Sequence, residues 1–331
     1  MEIKAADVAK LRQMTGAGMM DCKKALVEAN GDYERAKEII REKGKLVAAK
    51  RADRETSEGA VIAKVNGNKA IVVGLGCETD FVAKNAEFQA LAEAIAEAAI
   101  ANFPADKDAL MACVLADGRT VEAAVTEQTG KTGEKHGIVG YETVEAEYIS
   151  AYMHKITGKL AAVVGFNKAF DEQVAKGVAM QVASMNPVAV SAESVPQSVI
   201  DTELKTAEQK TREELVQKAV DAALTKAGIN PAHVDSEAHI ESNQAKGWIT
   251  AEQAEQAREI IKTVSAEKAA NLPEQMVANI AKGRLQKFFK EQTLEEQGYQ
   301  MGDGKTAVKD VVKAADAEAK ILTFKRISLA D

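Results

Sequence analysis

Residues spaced for bond-making chemistry are scarce in this chain. Gly304-Lys305-Thr306 and Gly130-Lys131-Thr132 each carry the tail of a phosphate-cradling P-loop, but the positions where its first glycine would stand are Tyr299 and Val125. Gly74-x-Gly76-x-x-Thr79 lacks the third glycine of a dinucleotide fingerprint, and it follows a hairpin instead of opening a strand–helix–strand unit. His233 and His239, with Asp235 and Glu237 between them, have no i, i+4 helical spacing and read as a solvated loop, not a metal site. No Ser/His/Asp or Cys/His set stands out by local motif. The expectation is a protein that is not an enzyme and carries neither cofactor nor metal.

Two segments are better suited to acting by contact. Thr79-Asp80-Phe81-Val82 lies where a strand hands over to a helix, and Thr79 is placed to cap that helix. Phe81 either fills a gap in its own core or offers its ring to a partner. Gly18-Met19-Met20 lies between two short helices, and two consecutive methionines cannot both face one small core. Methionine is the adaptable apolar residue of binding surfaces. Arg12 and Lys23 nearby are either solvated charges or partners for acids on another protein.

The elements that position these segments follow from periodicity. Val8, Leu11 and Met14 recur at helical spacing before Thr15-Gly16-Ala17-Gly18 breaks the helix, and Cys22, Ala25, Leu26 and Ala29 form the apolar face of a second helix. Asn30-Gly31 ends it, Asp32 caps a third helix with Tyr33, Ala36 and Ile40 inward, and Gly44 closes that one. The charged stretch 46–58 reads as a linker. Ala60–Val65 and Lys69–Leu75 flank Asn66-Gly67, a strong hairpin signal, and a helix with Phe88, Leu91, Ala92, Ile95 and Ala99 on one face follows.

This unit recurs. Lys64-Val65-Asn66-Gly67 matches Lys155-Ile156-Thr157-Gly158, and Val72-Val73-Gly74-Leu75 matches Val163-Val164-Gly165-Phe166. After one extra loop residue, Val82-Ala83-Lys84 matches Val174-Ala175-Lys176. In the second copy Asp171-Glu172-Gln173 stands where the first has Thr79-Asp80-Phe81. Gln173 at the position of Phe81 means that packing alone does not demand an aromatic there, which favours the partner reading. Residues 197–272 read as an antiparallel helical arm with a break at Gly228, Pro231, Gly247 and Trp248, and Thr250 caps the return helix. A short helix and a closing strand, Ile321–Ile327, end the chain. The fold class expected is α+β.

Composition bounds the rest. With 43 basic and 50 acidic side chains the net charge is −7, so there is no basic field to attract nucleic acid. Aromatic residues are only 4%, which suits alanine-rich helices. No apolar run is long enough to span a bilayer, and MEIKAADVAKL lacks the basic and apolar regions of an export signal. Cys22, Cys77 and Cys113 are widely spaced and odd in number, as reduced thiols of a cytoplasmic protein would be.

The residues also resemble a family. Met14-Thr15-Gly16-Ala17-Gly18-Met19-Met20-Asp21-Cys22-Lys23-Lys24-Ala25-Leu26 is similar to the N-terminal signature of bacterial elongation factor Ts, and Thr79-Asp80-Phe81-Val82-Ala83-Lys84-Asn85 to its second signature. The similarity extends through Tyr152-x-His154 and Gly283-Arg284-x-x-Lys287-Phe288 and covers most of the chain apart from the arm. The resemblance implies a guanine nucleotide exchange factor for elongation factor Tu, bound in its GDP and nucleotide-free states, with no direct contact to nucleic acid or membrane. It implies a ubiquitin-associated-like three-helix module at 1–45, core halves at 59–145 and 146–331, a coiled coil in the arm, and a C-terminal module at 300–331. Thr79, Asp80, Phe81 and Val82 would displace the partner's magnesium ion. Arg12, Met19, Met20 and Lys23 would contact its nucleotide domain, and His154 would face a different domain. An adaptor with such a module and no exchange activity is the alternative. The arm is longer than the family's usual one, the Gly133-Glu134-Lys135-His136 stretch lacks the paired arginines of relatives, and Ser328-Leu329-Ala330-Asp331 replaces a glycine-rich ending.

Overall fold

A computed structural model describes residues 3–330; residues 1, 2 and 331, at the ends of the expected first and last modules, lie outside the described residues. By its contacts the chain divides into one unit that runs to Val190 and resumes at Leu294, and a second unit, Ser191–Thr293. Among the described residues no helix is long and apolar enough to cross a membrane.

The first unit begins with α1 (Ala5–Thr15), α2 (Met19–Glu28) and α3 (Tyr33–Lys50). Val8, Leu11, Cys22, Ala25, Leu26, Ala36 and Ile39 bury themselves between these helices. Met14, expected on the inner face of α1, is exposed, because the buried stripe runs through Val8, Leu11 and Thr15 before Gly16 ends the helix in a left-handed turn (φ 67°). Gly44 does not close α3. The helix continues to Lys50, so residues 46–50 of the expected linker are helical. Gly44 is instead a crossing point. A Cβ on Gly130 of α7 (Val121–Thr132) would sit 2.8 Å from the Gly44 Cα, so these helix backbones meet where neither has a side chain.

The hairpin forms as β1 (Glu58–Asn66) and β2 (Lys69–Cys77), with its turn at Gly67-Asn68, one residue later than expected. Gly67 takes φ 59°, as a type II′ turn requires of its first central residue. A single turn, α4 (Asp80–Ala83), precedes α5 (Ala86–Asn102), and α6 (Lys107–Ala112) and α7 lead to β3 (Gly137–Glu145). The order is then repeated by β4 (Tyr148–Met153), β5 (Leu160–Phe166) and α8 (Glu172–Met185). The second unit supplies α9 (Gln197–Lys226), α10 (Glu237–Ala245), α11 (Ala251–Ala270) and α12 (Glu274–Gln292); α13 (Val308–Ala315) and β6 (Ile321–Ser328) follow.

Both sheets are antiparallel, in the orders β1-β2-β3 and β4-β5-β6. Each has one register shift at equivalent places: Gly74/Leu75 against β3 and Gly165/Phe166 against β6. The sheets pack face to face through Val61, Val72, Val144, Ile149, Val163 and Ile327. Strand alternation sends Ile71, Val73 and Leu75 to the other face, under Phe88, Leu91 and Ile95 of α5. In the second sheet Val164 and Phe166 meet Val178 and Val182 of α8. Helix, sheet, sheet and helix are thus stacked in layers. The glycines at 74 and 76 owe their place to the neighbouring strand, since a Cβ at either would lie within 2.7 Å of Val139 on β3.

The second unit is longer than the expected arm. Its α11 runs back along α9, closing Val220, Leu224, Ala254 and Ala257 around Ile229, Ile240 and Ile249. The break between them is not all loop, because Ser236 caps α10, and Thr250 caps α11 as expected. Unread in the sequence, α12 pairs with α9 through Glu274–Arg212 (2.5 Å) and Arg284–Glu214 (2.6 Å).

The Gly44–Gly130 crossing is asymmetric and therefore testable. Ala is the better helix former at both positions, but a Gly130 Cβ would press on backbone that cannot yield, whereas a Gly44 Cβ finds its nearest atoms at 3.6 Å. Gly130→Ala should lower stability by about 1–3 kcal/mol and Gly44→Ala should be near neutral, read as urea midpoints. Equal midpoints for the two variants would refute the crossing.

Candidate functional site

The segment between β2 and α5 is fixed from three sides. Thr79 caps α4 from an extended backbone, and its hydroxyl accepts the Val82 N–H at 3.4 Å. The same hydroxyl donates to Glu134 Oε1 at 2.7 Å, while the Thr79 N–H donates to Glu134 Oε2 at 3.0 Å. The Cys77 thiol donates to the Thr79 carbonyl at 3.3 Å. Burial, together with the Glu134 carboxylate, pushes that thiol up to about 12, so it stays protonated and remains a donor.

Glu78 locks the next layer. Its carboxylate accepts the Lys135 backbone N–H at 2.6 Å and Arg51 Nη1 at 2.7 and 2.9 Å. Those bonds, the Lys135 N–H foremost, hold its carboxyl below the usual range. Lys135 Nζ donates to the Ala52 and Arg54 carbonyls at 2.6 and 2.7 Å. The loop 133–136 therefore ties the turn after α3 to the strand end before α4. His136 is buried against the Phe88 ring, with centroids 5.6 Å apart. Its Nδ1 lies 2.9 Å from the Glu134 carbonyl oxygen, which can only accept, so Nδ1 carries the proton. Nε2 is buried with no partner among the described residues.

On this mount the side chains of α4 diverge. Ala83 is buried and Val82 packs on the core under α5. Asp80 pairs with Lys84 at 2.7 Å, and that bond holds its carboxyl low. Phe81 points away from all of them and is 83% exposed. A buried ring is worth about 1.5–3 kcal/mol, so exposing one on a rigid turn forgoes stability that the core does not recover. At the equivalent place in the second copy, Asp171 caps α8 by accepting the Gln173 and Val174 N–H groups at 2.9 and 3.0 Å, and Gln173 is exposed.

The other expected contact residues fall in two places. Arg12 is exposed in the last turn of α1, and Met19, Met20 and Lys23 are exposed on the first turns of α2, so these four share the α1–α2 corner. Met20 is 62% exposed. The methionines open α2 instead of lying in a turn before it. The corner is held by the Thr15 hydroxyl donating to Leu11 O at 2.8 Å and by Cys22 Sγ donating to Ala17 O. His154 lies elsewhere, at the end of β4, half-buried, with Nδ1 at 2.9 Å from the Thr157 hydroxyl and its ring edge-on to Tyr152.

The near-motifs have structural roles. Gly130-Lys131-Thr132 is the end of a helix, and Asp303 folds Lys305 and Thr306 into a tight turn by accepting both backbone N–H groups. His239 lies in the first turn of α10 and pairs with Asp235, and the His233 ring lies tilted against Trp248 with centroids 5.5 Å apart, so neither is in a simple solvated loop. Among the described residues no group of three or more His, Cys, Asp or Glu is arranged to hold a metal ion. Sequence reading missed Glu134, Glu78, Arg51 and Lys135. They act across long sequence separations, and no local spacing marks them.

Fold and site define an α+β scaffold that displays a rigidly mounted aromatic ring and an exposed methionine pair. Residues 78–331 match the family model for elongation factor Ts. Elongation factor Ts of Phocaeicola vulgatus is 55% identical over 329 residues, 99% of each chain, and that of Bacteroides thetaiotaomicron is equally similar. The Porphyromonas gingivalis protein of that name is 39% identical, again over 99% of each chain. The chain belongs to the elongation factor Ts family.

Burial moves the His136 imidazole below its ordinary 6.5. The unfolded chain takes up this proton as pH falls through about 6.5 while the folded chain resists, so stability drops from there towards the lower folded value. His136→Asn keeps a donor for the Glu134 carbonyl and removes the titration. Between about pH 7.5 and pH 5.5, above the range of ordinary carboxylates, the urea midpoint should fall more in the parent than in His136→Asn. Identical slopes would exclude His136 as the responsible group.

Proposed function

We propose that this protein binds elongation factor Tu in its GDP-bound and nucleotide-free states and speeds GDP release by displacing the magnesium ion that helps hold the nucleotide, after which GTP rebinds. The observation that carries this reading is the mounting of Phe81: 83% exposed, on a one-turn helix whose cap is gripped by a second loop, where the sister copy has an exposed Gln173. A core-filling residue would be buried, and an idle surface position needs no such support.

In this reading Thr79 and Asp80 shape the turn, Val82 anchors it, and Phe81 enters the partner. Mg²⁺ bridges protein and phosphate oxygens, so displacing its ligands weakens nucleotide binding. The ring's burial, about 1.5–3 kcal/mol, stabilises the partner state in which those ligands have moved. Coupling is reciprocal: the factor by which the protein weakens GDP binding is the factor by which GDP weakens the protein's own binding. No bond is made or broken, so the activity is that of an exchange factor and not an enzyme.

Arg12, Met19, Met20 and Lys23 contact the partner's nucleotide domain from a ubiquitin-associated-like module within 1–45, and His154 contacts another domain from the second core half, 146–331. The first half spans 59–145, with the segment from 46 leading into it. The arm within 197–272 is a coiled coil, a reading supported by α11 running back along α9, and 300–331 close the core. The net charge of −7 suits a cytoplasmic protein that leaves tRNA and membranes alone.

Release of a fluorescent GDP analogue from elongation factor Tu tests the proposal. The protein should accelerate release strongly, and Phe81→Ala should lose about ten- to a hundredfold of that acceleration, the equivalent of one buried ring. No acceleration by the parent protein would refute exchange, and full activity of Phe81→Ala would refute the wedge.

A further inference from the structure

A helix of four residues cannot hold itself together, because nucleating a turn costs more than its first hydrogen bond returns. The orientation of Phe81 therefore depends on what grips the ends of α4. The grip at its start is unusual in being double and non-local. One carboxylate, Glu134, receives both the N–H and the O–H of Thr79, 55 positions earlier in the chain. Once the hydroxyl proton is committed to Glu134, the hydroxyl's lone pairs are left to face the Val82 N–H.

Glu134 is itself held on both sides. Its N–H donates to the Thr132 hydroxyl at 3.1 Å, and its carbonyl accepts from His136 Nδ1 at 2.9 Å. The next residue's N–H goes to Glu78 at 2.6 Å. The loop 133–136, which lacks the paired arginines of relatives, turns its Glu134 carboxylate inward onto Thr79.

We propose that Glu134 is a positioning residue for nucleotide exchange: by gripping Thr79 at two atoms it fixes α4, and with it the direction in which Phe81 leaves the surface. This rests on Phe81 being the wedge. A pre-oriented ring loses less freedom on binding, so the clamp acts on how well the bound complex opens the nucleotide site. The chemistry requires a carboxylate. Glutamine offers one acceptor: if its oxygen takes the Thr79 N–H, its NH₂ meets the hydroxyl, which can then no longer donate to residue 134, and aspartate is one methylene too short to keep both bonds from the same backbone.

The test is a double-mutant cycle on GDP release from elongation factor Tu at saturating protein, with Glu134→Gln, Phe81→Ala and the pair, joined by amide hydrogen exchange of the free protein. Glu134→Gln should slow the maximal stimulated rate about tenfold, the scale of a lost charge-assisted hydrogen bond. It should add no further loss in the Phe81→Ala background, and the Val82 amide should exchange faster. Thr79→Val, which removes the hydroxyl that donates to Glu134 and leaves the N–H, should behave as Glu134→Gln does. A Glu134→Gln protein as fast as the parent, or one that multiplies the Phe81→Ala defect by the same factor, overturns the proposal, the second outcome marking a general structural loss. Exchange is read without a partner and separates the two ideas: unchanged protection at Val82 overturns the clamp whatever the release assay gives. A parent protein that fails to speed release overturns the exchange reading and the clamp's role in it.

Discussion

The face-to-face packing of the two sheets governs the rest of the first unit. Val61, Val72 and Val144 from one sheet meet Ile149, Val163 and Ile327 from the other, leaving each sheet a second apolar face that must also be covered. That need places α5 and α8 outside, and it makes β2 and β5 buried along nearly their whole length. It demands glycine where strands approach too closely for a side chain, at Gly74, Gly140 and Gly165. A chain leaving β2 for α5 must then cross from the middle of the stack to its outside, and α4 is that crossing.

The crossing is short, exposed and costly to order, so its rigidity is borrowed. Cys77 secures the Thr79 carbonyl, Glu134 its N–H and hydroxyl, and Glu78 on the neighbouring position accepts from Arg51 and the Lys135 N–H. These bonds come from α3's far end, from the loop after α7 and from β2, three places brought together only by the tertiary fold. The second copy dispenses with this arrangement: its cap, Asp171, is satisfied by its own helix, and the chain enters α8 directly. Two halves built on the same strand order thus differ at the position where one of them carries an exposed ring.

Much of this was legible in the sequence where the signal was local. The hairpin could be placed from Asn66-Gly67, although a residue early, because it is Gly67 that supplies the positive φ and opens the turn. The repeat could be read from matched strands and turn glycines, and Phe81 stood out because its counterpart is Gln173. Gly44 misled because a glycine late in an apolar pattern ordinarily ends a helix; only the approach of Gly130 explains why it sits inside one. The extent of α3, the helix α12 and the Glu134 grip depend on partners 55 or more residues away, or on packing between helices, and periodicity carries none of that.

The central claim is that Phe81 acts on the difference between two partner states and not on binding in general. The most direct measurement is the ratio of the protein's affinities for nucleotide-free and GDP-bound elongation factor Tu, by calorimetry, for the parent and Phe81→Ala. The parent should bind the nucleotide-free form more tightly, and Phe81→Ala should shrink that ratio by about tenfold or more. A substitution that weakens both complexes equally and leaves the ratio unchanged would contradict the account.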